Sequence, residues 1–337
     1  MSKRILITGS GGFIGSHCLS HVLVNTDWDI VGIDSWSHKG ISERISESEH
    51  YKNNKDRVRI YTHDLNSPIS HVLESKIGQI DYIINFASDS HVDRSITNPV
   101  PFVQNNVNIA LTMLEYARKV KPIKFIQIGT DEVYGPTDGV HNHPEWSPIV
   151  PSNPYSASKG AQDLLAISYW RTYGIPVILT NIMNTFGEYQ DFEKLIPMVI
   201  RKILKEEKII IHADKTKTVS GARYWLHARN TSDALLYMLT NVSVLNYPNA
   251  NRPERFNIVG GAQISNLEIV LWIGKIIGKE PIYEMVDAET ARSGHDMFYG
   301  LSGEKLISYG HSFPINLQES FEKTIKWYLN NKRWLGI

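Results

Sequence analysis

Two short groups of side chains in this sequence could carry out acid–base chemistry on an alcohol. Thr130, Asp131 and Glu132 follow a predicted strand directly, and Tyr155 and Lys159 come later, four residues apart. On a helix this spacing places the phenol and the ammonium on one face, where the cation is expected to lower the pKa of the phenol. The phenol can then take a proton from an alcohol, while the two carboxylates supply an acid and a second base. The residues therefore predict oxidation of an alcohol coupled to loss of water, although spacing does not decide which carboxylate is the acid.

A glycine-rich turn near the start of the chain predicts a dinucleotide site. Gly9, Gly12 and Gly15 lie between a predicted strand and a predicted helix, where backbone can approach a pyrophosphate and the helix N-terminus can stabilise its charge. Asp34 follows at the end of the second predicted strand, placed to accept hydrogen bonds from ribose hydroxyls. Its charge would repel a 2′-phosphate, so NAD is favoured over NADP, although Lys39 lies close by.

The predicted elements must bring these groups together. Strands are expected at 4–8, 30–33, 58–61, 82–86, 125–128 and 177–179, and helices at 13–24, 102–119 and 156–173. This alternation predicts an α/β fold with a Rossmann-type, doubly wound parallel sheet.

After residue 187 the pattern loosens, with helices expected at 195–204 and 317–329. We therefore predict an NAD-binding domain at 1–187 and a smaller C-terminal substrate lobe at 188–337, with a strand near 256–259 that returns to the large sheet.

Composition excludes several classes of protein. The 337 residues include 35 basic and 35 acidic side chains, so no bulk field attracts nucleic acid or an anionic membrane. Cys18 is the only cysteine, which excludes an internal disulfide and a multi-cysteine metal site. No apolar run is long enough for a membrane span and no signal peptide is evident, so a cytoplasmic protein is expected.

Seven motifs in order carry a family resemblance that runs from Lys3 nearly to the C-terminus: GSGGFIG, the aspartate after the second strand, NFASDSHVDRS, TDEVYG, YSASK, EKLIP and RSGHD. With them, the chain resembles the extended short-chain dehydrogenase/reductase superfamily. Within it, the chain is most similar to the dTDP-glucose 4,6-dehydratases, a family of nucleotide-sugar 4,6-dehydratases. TDEVYG separates these dehydratases from sugar epimerases.

The resemblance implies a role for each catalytic position. Tyr155 takes the proton from the carbon-4 hydroxyl while hydride passes to NAD, and Lys159 lowers the pKa of the phenol and holds the nicotinamide ribose. Thr130 orients the hydroxyl. Glu132 then removes the proton from carbon 5 while Asp131 protonates the departing carbon-6 hydroxyl, and hydride returns to carbon 6. The implied product is a 4-keto-6-deoxy sugar nucleotide.

The same resemblance implies binding residues and an assembly. Further NAD contacts fall at Phe13, Ile14, Asp64, Leu65, Ala87 and Ser88. Contacts to the sugar nucleotide fall at Ser90, Asn184, Glu193, Lys194, Arg223, Asn257, Arg292 and His295, together with Thr130. The helices at 102–119 and 156–173 match those that pair across a two-fold axis in related dimers, which implies a homodimer with a four-helix interface.

Departures from the family pattern fall where base and sugar would be recognised. They include Asp89 before SHVDRS, the segment 181–187 and the segment 223–230. Two alternatives therefore stay open within the fold, a UDP-N-acetylhexosamine dehydratase and a 4-oxidase/5-epimerase. A non-catalytic NAD-binding regulator is the alternative from another class, and it is disfavoured because such proteins commonly lose the tyrosine and lysine that this chain keeps.

Overall fold

The computed structural model describes residues 2–37, 40–288 and 296–337. Its largest feature is a parallel sheet of seven strands, numbered in chain order as β1 (Arg4–Thr8), β2 (Asp29–Asp34), β3 (Val58–Thr62), β4 (Tyr82–Asn85), β5 (Lys124–Thr130), β6 (Val177–Ile182) and β11 (Glu254–Ile258). Their order across the sheet is β3, β2, β1, β4, β5, β6, β11, and every neighbouring pair is parallel. The strand order reverses between β1 and β4, which opens a crevice at the carboxyl ends of the strands. The predicted Rossmann-type sheet is confirmed.

Twelve α-helices are found within the described residues. They are α1 (Phe13–Asn25), α2 (Glu43–Ser46), α3 (Glu49–Lys52), α4 (His71–Ile77), α5 (Val92–Thr97), α6 (Pro99–Val120), α7 (Pro154–Tyr173), α8 (Leu195–Lys205), α9 (Ala228–Asn241), α10 (Asn266–Ile277), α11 (Glu304–Ser308) and α12 (Leu317–Asn330). None of them combines the length and apolar character that a membrane span needs.

Apolar packing covers both faces of the large sheet. On one face, Cys18 and Leu19 of α1 pack with Leu235 and Met238 of α9 in a cluster that includes Ile5 of β1. The other face packs against α6 and α7. Burial on both faces explains why the central strands β1 and β4 carry continuous apolar runs, 5–7 and 82–84, rather than alternating apolar and polar residues. It also places α9 and β11 with the large sheet although both follow residue 187.

A second, smaller core holds the C-terminal lobe together. The short strands around it are β7 (Thr185–Phe186), β8 (Ile209–Ala213), β9 (Ala222–Tyr224), β10 (Leu226–His227), β12 (Gln263–Ser265) and β13 (Tyr283–Asp287), and they form three pairs. Helices α8, α10 and α12 bury apolar side chains against one another in this core. These elements therefore have an apolar core of their own.

Two elements that carry predicted site residues are longer than expected. β5 continues past Ile128 to Thr130, so the hydroxyl of Thr130 belongs to a rigid strand. Helix α7 begins at Pro154, because Asn153 caps it and Pro154 suits the first helical position. Both extensions fix site residues in regular structure.

Candidate active site

The two predicted carboxylates follow the last residue of β5. Residues Asp131–Tyr134 form a 3₁₀ turn, which begins because the Thr130 hydroxyl accepts a hydrogen bond from the Glu132 N–H at 3.4 Å. The same hydroxyl donates to Asp131 Oδ1 at 3.0 Å. Asn153, the residue that caps α7, donates through Nδ2 to Glu132 Oε2 at 3.3 Å. The turn thus holds the two carboxylates at the mouth of the sheet and ties one of them to the start of α7.

Burial changes the acidity of this pair. It raises the pKa of Asp131 to about 6, against opposing effects of the Thr130 hydroxyl and of Arg223. Burial also raises the pKa of Glu132 to about 7, and the neighbouring charge of Asp131 raises it further. Near neutral pH the pair is therefore partly protonated. One carboxylate can then act as an acid and the other as a base.

Tyr155 and Lys159 lie on the buried face of α7, which packs against β5. The Tyr155 N–H donates to Ser95 Oγ at 3.1 Å, and its ring contacts Phe102 edge to face. Lys159 is 2% exposed and its ammonium donates to the Ile128 carbonyl and to Gln162 Oε1, each at 2.6 Å.

The electrostatics of this pair differ from the prediction. We expected the ammonium of Lys159 to lower the pKa of Tyr155, yet burial raises that pKa above its ordinary value, as do the charges of Glu132 and Asp131. Burial also lowers the pKa of Lys159 to about 8. The helical spacing placed both groups on one face correctly, but it carried no information about desolvation or about where the ammonium donates its hydrogen bonds.

The glycine turn fits a dinucleotide. A Cβ on Gly15 would lie 2.2 Å from the Gly9 carbonyl oxygen, so α1 can pack this closely on the turn only with glycine there. Gly9 has φ +64° and approaches the backbone of Ala87. Gly12 caps α1 with no side-chain hydrogen bond, and no acidic residue stands in the first turn. The N-terminal amides of α1 are thus available to an anion such as a pyrophosphate.

Asp34 ends β2 beside this turn. Its carboxylate accepts hydrogen bonds from the N–H of Gly11 at 2.8 Å and from the N–H of Trp36 at 2.9 Å. These bonds hold the carboxylate next to the cofactor crevice, where ribose hydroxyls could reach its remaining acceptor positions. Lys39, the cation that left some doubt about NADP, lies outside the described residues.

The other positions expected to contact NAD line the carboxyl ends of the sheet. Phe13 and Ile14 occupy the first turn of α1, and the Ala87 N–H donates to Thr8 Oγ1 at 3.2 Å, with Ser88 following. Asp64 and Leu65 follow β3; Leu65 is buried, while Asp64 is exposed and accepts from the Asn66 N–H at 2.9 Å. All of these are compatible with one extended ligand along the crevice.

Arg223 and Lys194 bring positive charge to the carboxylate pair. Both lower the pKa of Glu132, which places their charges near it. The buried guanidinium of Arg223 donates to the carbonyls of Met297 at 2.5 Å and Asp296 at 2.7 Å. It therefore ties the chain after residue 295 to β9, in addition to facing the acid–base site.

The remaining substrate positions are more scattered. Asn257 is buried and its Nδ2 donates to the carbonyls of His143 and Ser302, at 3.0 and 3.1 Å, so it joins two loops. The Asn184 carbonyl accepts from the Leu226 N–H, Glu193 lies 3.9 Å from His91, and Ser90 is exposed after β4. Arg292 and His295 lie outside the described residues.

Two residues at the site were not found from the sequence. Tyr299 lies close enough for Asp131 and Glu132 to raise its pKa, donates to Asp296 Oδ2 at 2.6 Å and stacks under Arg223, with 4.7 Å between the guanidinium carbon and the ring centre. No local pattern marks it, because it follows the carboxylates by more than 160 residues. Asn153 could have been found, since asparagine before proline at a helix start is a capping signal.

Comparison with known proteins identifies the family. The family model of GDP-mannose 4,6 dehydratase matches residues 6–300. The chain belongs to this family. Among the described residues of this member, no group of three or more His, Cys, Asp or Glu side chains is placed to hold a metal ion.

Two relatives and one solved structure extend the match over the whole chain. dTDP-glucose 4,6-dehydratase 1 of Escherichia coli is 33% identical in an alignment 363 residues long, gaps included. The alignment covers 98% of this chain and 94% of the relative. The dTDP-glucose 4,6-dehydratase of Salmonella typhimurium is 34% identical over 358 residues, covering 99% and 94%. The crystal structure of a dTDP-glucose 4,6-dehydratase double mutant from Streptomyces venezuelae with NAD bound has a TM-score of 0.85 at 28% identity, covering 99% of each chain. The predicted membership of the nucleotide-sugar 4,6-dehydratases is confirmed.

Proposed function

We propose that this protein is an NAD-dependent nucleoside-diphosphate-hexose 4,6-dehydratase, a hydro-lyase that acts on a dTDP-glucose-like substrate. The buried pair Asp131 and Glu132, with raised pKa values near neutral pH, is the observation that carries the proposal. A simple alcohol dehydrogenase needs one base, whereas elimination of water needs an acid and a second base. The relatives named above support the substrate class.

The first step is oxidation at carbon 4 of the hexose. The glycine turn and Asp34 would hold NAD, which would supply a hydride acceptor for carbon 4 and a hydride source for carbon 6. Tyr155 removes the proton of the carbon-4 hydroxyl, and Thr130 orients that hydroxyl from the end of β5. Lys159, on the same buried face of α7, is assigned to the nicotinamide ribose, because its charge does not offset the burial that raises the pKa of Tyr155.

Elimination follows because the new ketone acidifies the proton on carbon 5. Glu132 removes that proton, and Asp131 protonates the carbon-6 hydroxyl, so that the bond from carbon 6 to oxygen breaks and water leaves. Return of hydride to carbon 6 and of a proton to carbon 5 completes the 4-keto-6-deoxy product. Asp131 Oδ2 is buried and has no hydrogen-bond partner within the described part of the chain, so its hydrogen-bonding capacity is left for the carbon-6 hydroxyl in this proposal.

The nucleotide end is assigned to the C-terminal lobe. Lys194 and Arg223 carry the positive charge that a diphosphate needs at this site. The other proposed substrate contacts, which rest on the family resemblance, are Ser90, Asn184, Glu193, Asn257, Arg292 and His295.

Product analysis tests the proposal. The purified protein is incubated separately with dTDP-glucose, UDP-glucose, CDP-glucose and UDP-GlcNAc, and products are identified by mass and NMR. A 4-keto-6-deoxy product from dTDP-glucose, without a second redox substrate, is expected. The same product class from UDP-GlcNAc alone would favour the N-acetylhexosamine dehydratase, and inversion at carbon 5 without loss of water would favour the epimerase. Retained NAD with no turnover of any substrate would contradict the proposal.

We also propose a homodimer in which α6 and α7 of each protomer form a four-helix interface. The two helices pack together, and Leu111 on α6 and Leu164 on α7 are apolar and exposed on this side of the protomer. Leu164→Glu should convert the dimer to a monomer in sedimentation experiments, whereas a wild-type monomer at micromolar concentration would contradict the assembly.

A cytoplasmic location is proposed as well, in keeping with Cys18 as the only cysteine.

A further inference from the structure

A row of polar side chains crosses the interior of the large sheet. Thr8 of β1, Asn85 of β4 and Gln127 of β5 are register neighbours on three adjacent strands. All three are fully buried. Gln162 of α7, also fully buried, continues the row toward Lys159. Polar groups in such a place are costly unless they are hydrogen-bonded to one another.

The hydrogen bonds in this row all run in one direction. The Ala87 N–H donates to Thr8 Oγ1 at 3.2 Å, and the Thr8 hydroxyl donates to Asn85 Oδ1 at 2.6 Å. Asn85 Nδ2 donates to Gln127 Oε1 at 2.9 Å, and Gln127 Nε2 donates to Gln162 Oε1 at 3.2 Å.

Both ends of the row are backbone groups whose role as hydrogen-bond donor or acceptor is fixed. The row starts at the N–H of Ala87 and ends where Gln162 Nε2 donates to the Asn106 carbonyl at 2.6 Å. An N–H can only donate and a carbonyl can only accept, so the orientation of every amide between them is determined. The carbonyl oxygen of Gln162 must therefore point toward Lys159.

The ammonium of Lys159 lies at this oxygen. It donates to Gln162 Oε1 and to the Ile128 carbonyl, each at 2.6 Å, and Gln127 Nε2 donates to the same two oxygens at 3.2 Å. Two of the three ammonium protons are thereby fixed, which directs the third. A chain of aligned hydrogen bonds also strengthens each member, so the carbonyl of Gln162 is a better acceptor than an isolated amide.

We propose that Gln162 is a positioning residue for Lys159: its carbonyl, oriented by the row from Ala87 to Asn106, holds the ammonium in place and keeps it protonated. The inference rests on the proposed function for its effect on turnover. Because the row starts at Ala87, beside the glycine turn, it also links the position of the ammonium to the cofactor crevice.

The charged surroundings of Lys159 make the effect measurable. Burial lowers its pKa, and Asp163 one helical turn further on raises it. Asp163 is itself paired with Arg255 of β11 at 2.9 Å. From β5 the uncharged Ile128 carbonyl accepts from the ammonium and the uncharged Gln127 shares its acceptors, and Tyr155 precedes Lys159 on α7. Replacing Gln162 by an uncharged residue therefore alters the hydrogen bonding of the ammonium without changing its charged neighbours.

The first test follows Lys159 itself by NMR. Lysine labelled with ¹³C at the ε position is titrated in the purified protein, and the Lys159 signal is assigned by its loss in Lys159→Met. Gln162→Met keeps the length of the side chain but removes the acceptor, so the titration midpoint should move to lower pH by roughly one unit. Thr180→Val is the matched control. It removes a fully buried hydroxyl that donates to the main-chain carbonyl of Gln127 at 3.2 Å, whereas the row uses only the side-chain amide of Gln127. Its midpoint should stay at the wild-type value.

A second variant should shift the titration midpoint of Lys159 in the opposite direction. Gln162→Glu places a carboxylate beside the ammonium and should move the midpoint to higher pH. The rate of cofactor reduction on mixing with substrate should follow both shifts, with about a tenfold loss for Gln162→Met above its new midpoint. Unchanged midpoints, or shifts of the same sign in both variants, would overturn the inference, and the Glu variant still decides if the Met variant does not fold. A wild-type protein without turnover would contradict the proposed function, while the NMR titration would still test Gln162.

Discussion

The glycine turn and the acid–base turn lie at the same edge of the sheet but are built from different parts of the chain. The glycine turn presents backbone: Gly9, Gly12 and Gly15 leave room for a close approach, and the start of α1 offers N–H groups. The acid–base turn presents side chains: Asp131 and Glu132 are carboxylates whose pKa values are raised chiefly by burial.

The difference predicts two kinds of sensitivity. At the glycine turn, added volume should be harmful, because a Cβ meets backbone that cannot move away. At the acid–base turn, shape can be kept while charge is removed, so isosteric substitutions should abolish chemistry without a steric cost to folding. The following predictions test this separation.

The largest effect is expected for Glu132→Gln. The amide keeps the shape of the side chain but cannot take the carbon-5 proton, so turnover should fall by about 10²–10⁴-fold, or about 3–5 kcal/mol in the barrier. Oxidation should still occur, because Tyr155 is unchanged. Reduced nicotinamide should therefore build up after mixing with substrate, followed by its absorbance in stopped flow.

Tyr155→Phe is the matched control for that experiment. It removes the base for the carbon-4 hydroxyl, so reduced nicotinamide should not appear at all. If Glu132→Gln also shows no reduced nicotinamide, oxidation and elimination have been assigned to the wrong groups.

A pH effect on stability should follow from the same carboxylates. The pKa of Asp131 is raised from 3.8 to about 6 and that of Glu132 from 4.5 to about 7, so the folded state binds their protons more tightly than the unfolded state does. Their contribution to stability is therefore fully present at low pH and is lost as the pH rises from about 4 to about 7. For one proton on the coupled pair this amounts to about 3 kcal/mol.

The double variant Asp131→Asn, Glu132→Gln should lack this loss. Urea unfolding at a series of pH values should show the variant gaining stability relative to the wild type as the pH rises through that window. A constant difference between the two proteins across the window would mean that burial does not raise these pKa values.

Gly15→Ala tests the other side of the comparison. The new Cβ would lie 2.2 Å from the Gly9 carbonyl oxygen, so α1 or the turn must shift, at a cost of about 1–3 kcal/mol in the free energy of unfolding. Retention of NAD through purification should fall as well. Gly261→Ala is the matched control, because a Cβ there meets no atom within 4 Å, and it should leave both properties unchanged. Equal behaviour of the two variants would contradict a site built from close backbone approach.

The same contrast explains how much the sequence could predict. The sheet and the glycine turn follow from local patterns, because apolar strands and a glycine spacing between strand and helix are contiguous in the chain. The position of the carboxylates after β5 and the shared helix face of Tyr155 and Lys159 were predictable for the same reason. These features depend on neighbours in sequence.

What could not be predicted depends on residues far apart in the chain. The raised pKa of Tyr155 arises from burial and from the charges of the carboxylate turn more than 20 residues earlier. Tyr299 reaches the same turn from the C-terminal part of the chain, and the acceptors of Lys159 come from two different elements. Sequence spacing carries no information about desolvation or about such long-range contacts.

The smallest effect is expected for Asp34→Asn. The Asp34 side chain both holds backbone N–H groups of the turn and is proposed to bind the ribose of NAD. Asp34 accepts from two backbone N–H groups, and the amide of asparagine leaves one acceptor oxygen for them. NAD affinity should fall about tenfold, or about 1.4 kcal/mol, and the preference for NAD over NADP should narrow because the charge that repels a 2′-phosphate is gone. Calorimetric titration with each dinucleotide measures both changes. Asp29→Asn, at the opposite end of β2 where the carboxylate contacts Arg4 at 3.3 Å, should leave both affinities unchanged. If Asp34→Asn binds NAD as the wild type does, the carboxylate serves only to hold the backbone of Gly11 and Trp36, and the choice of dinucleotide must be made elsewhere in the crevice.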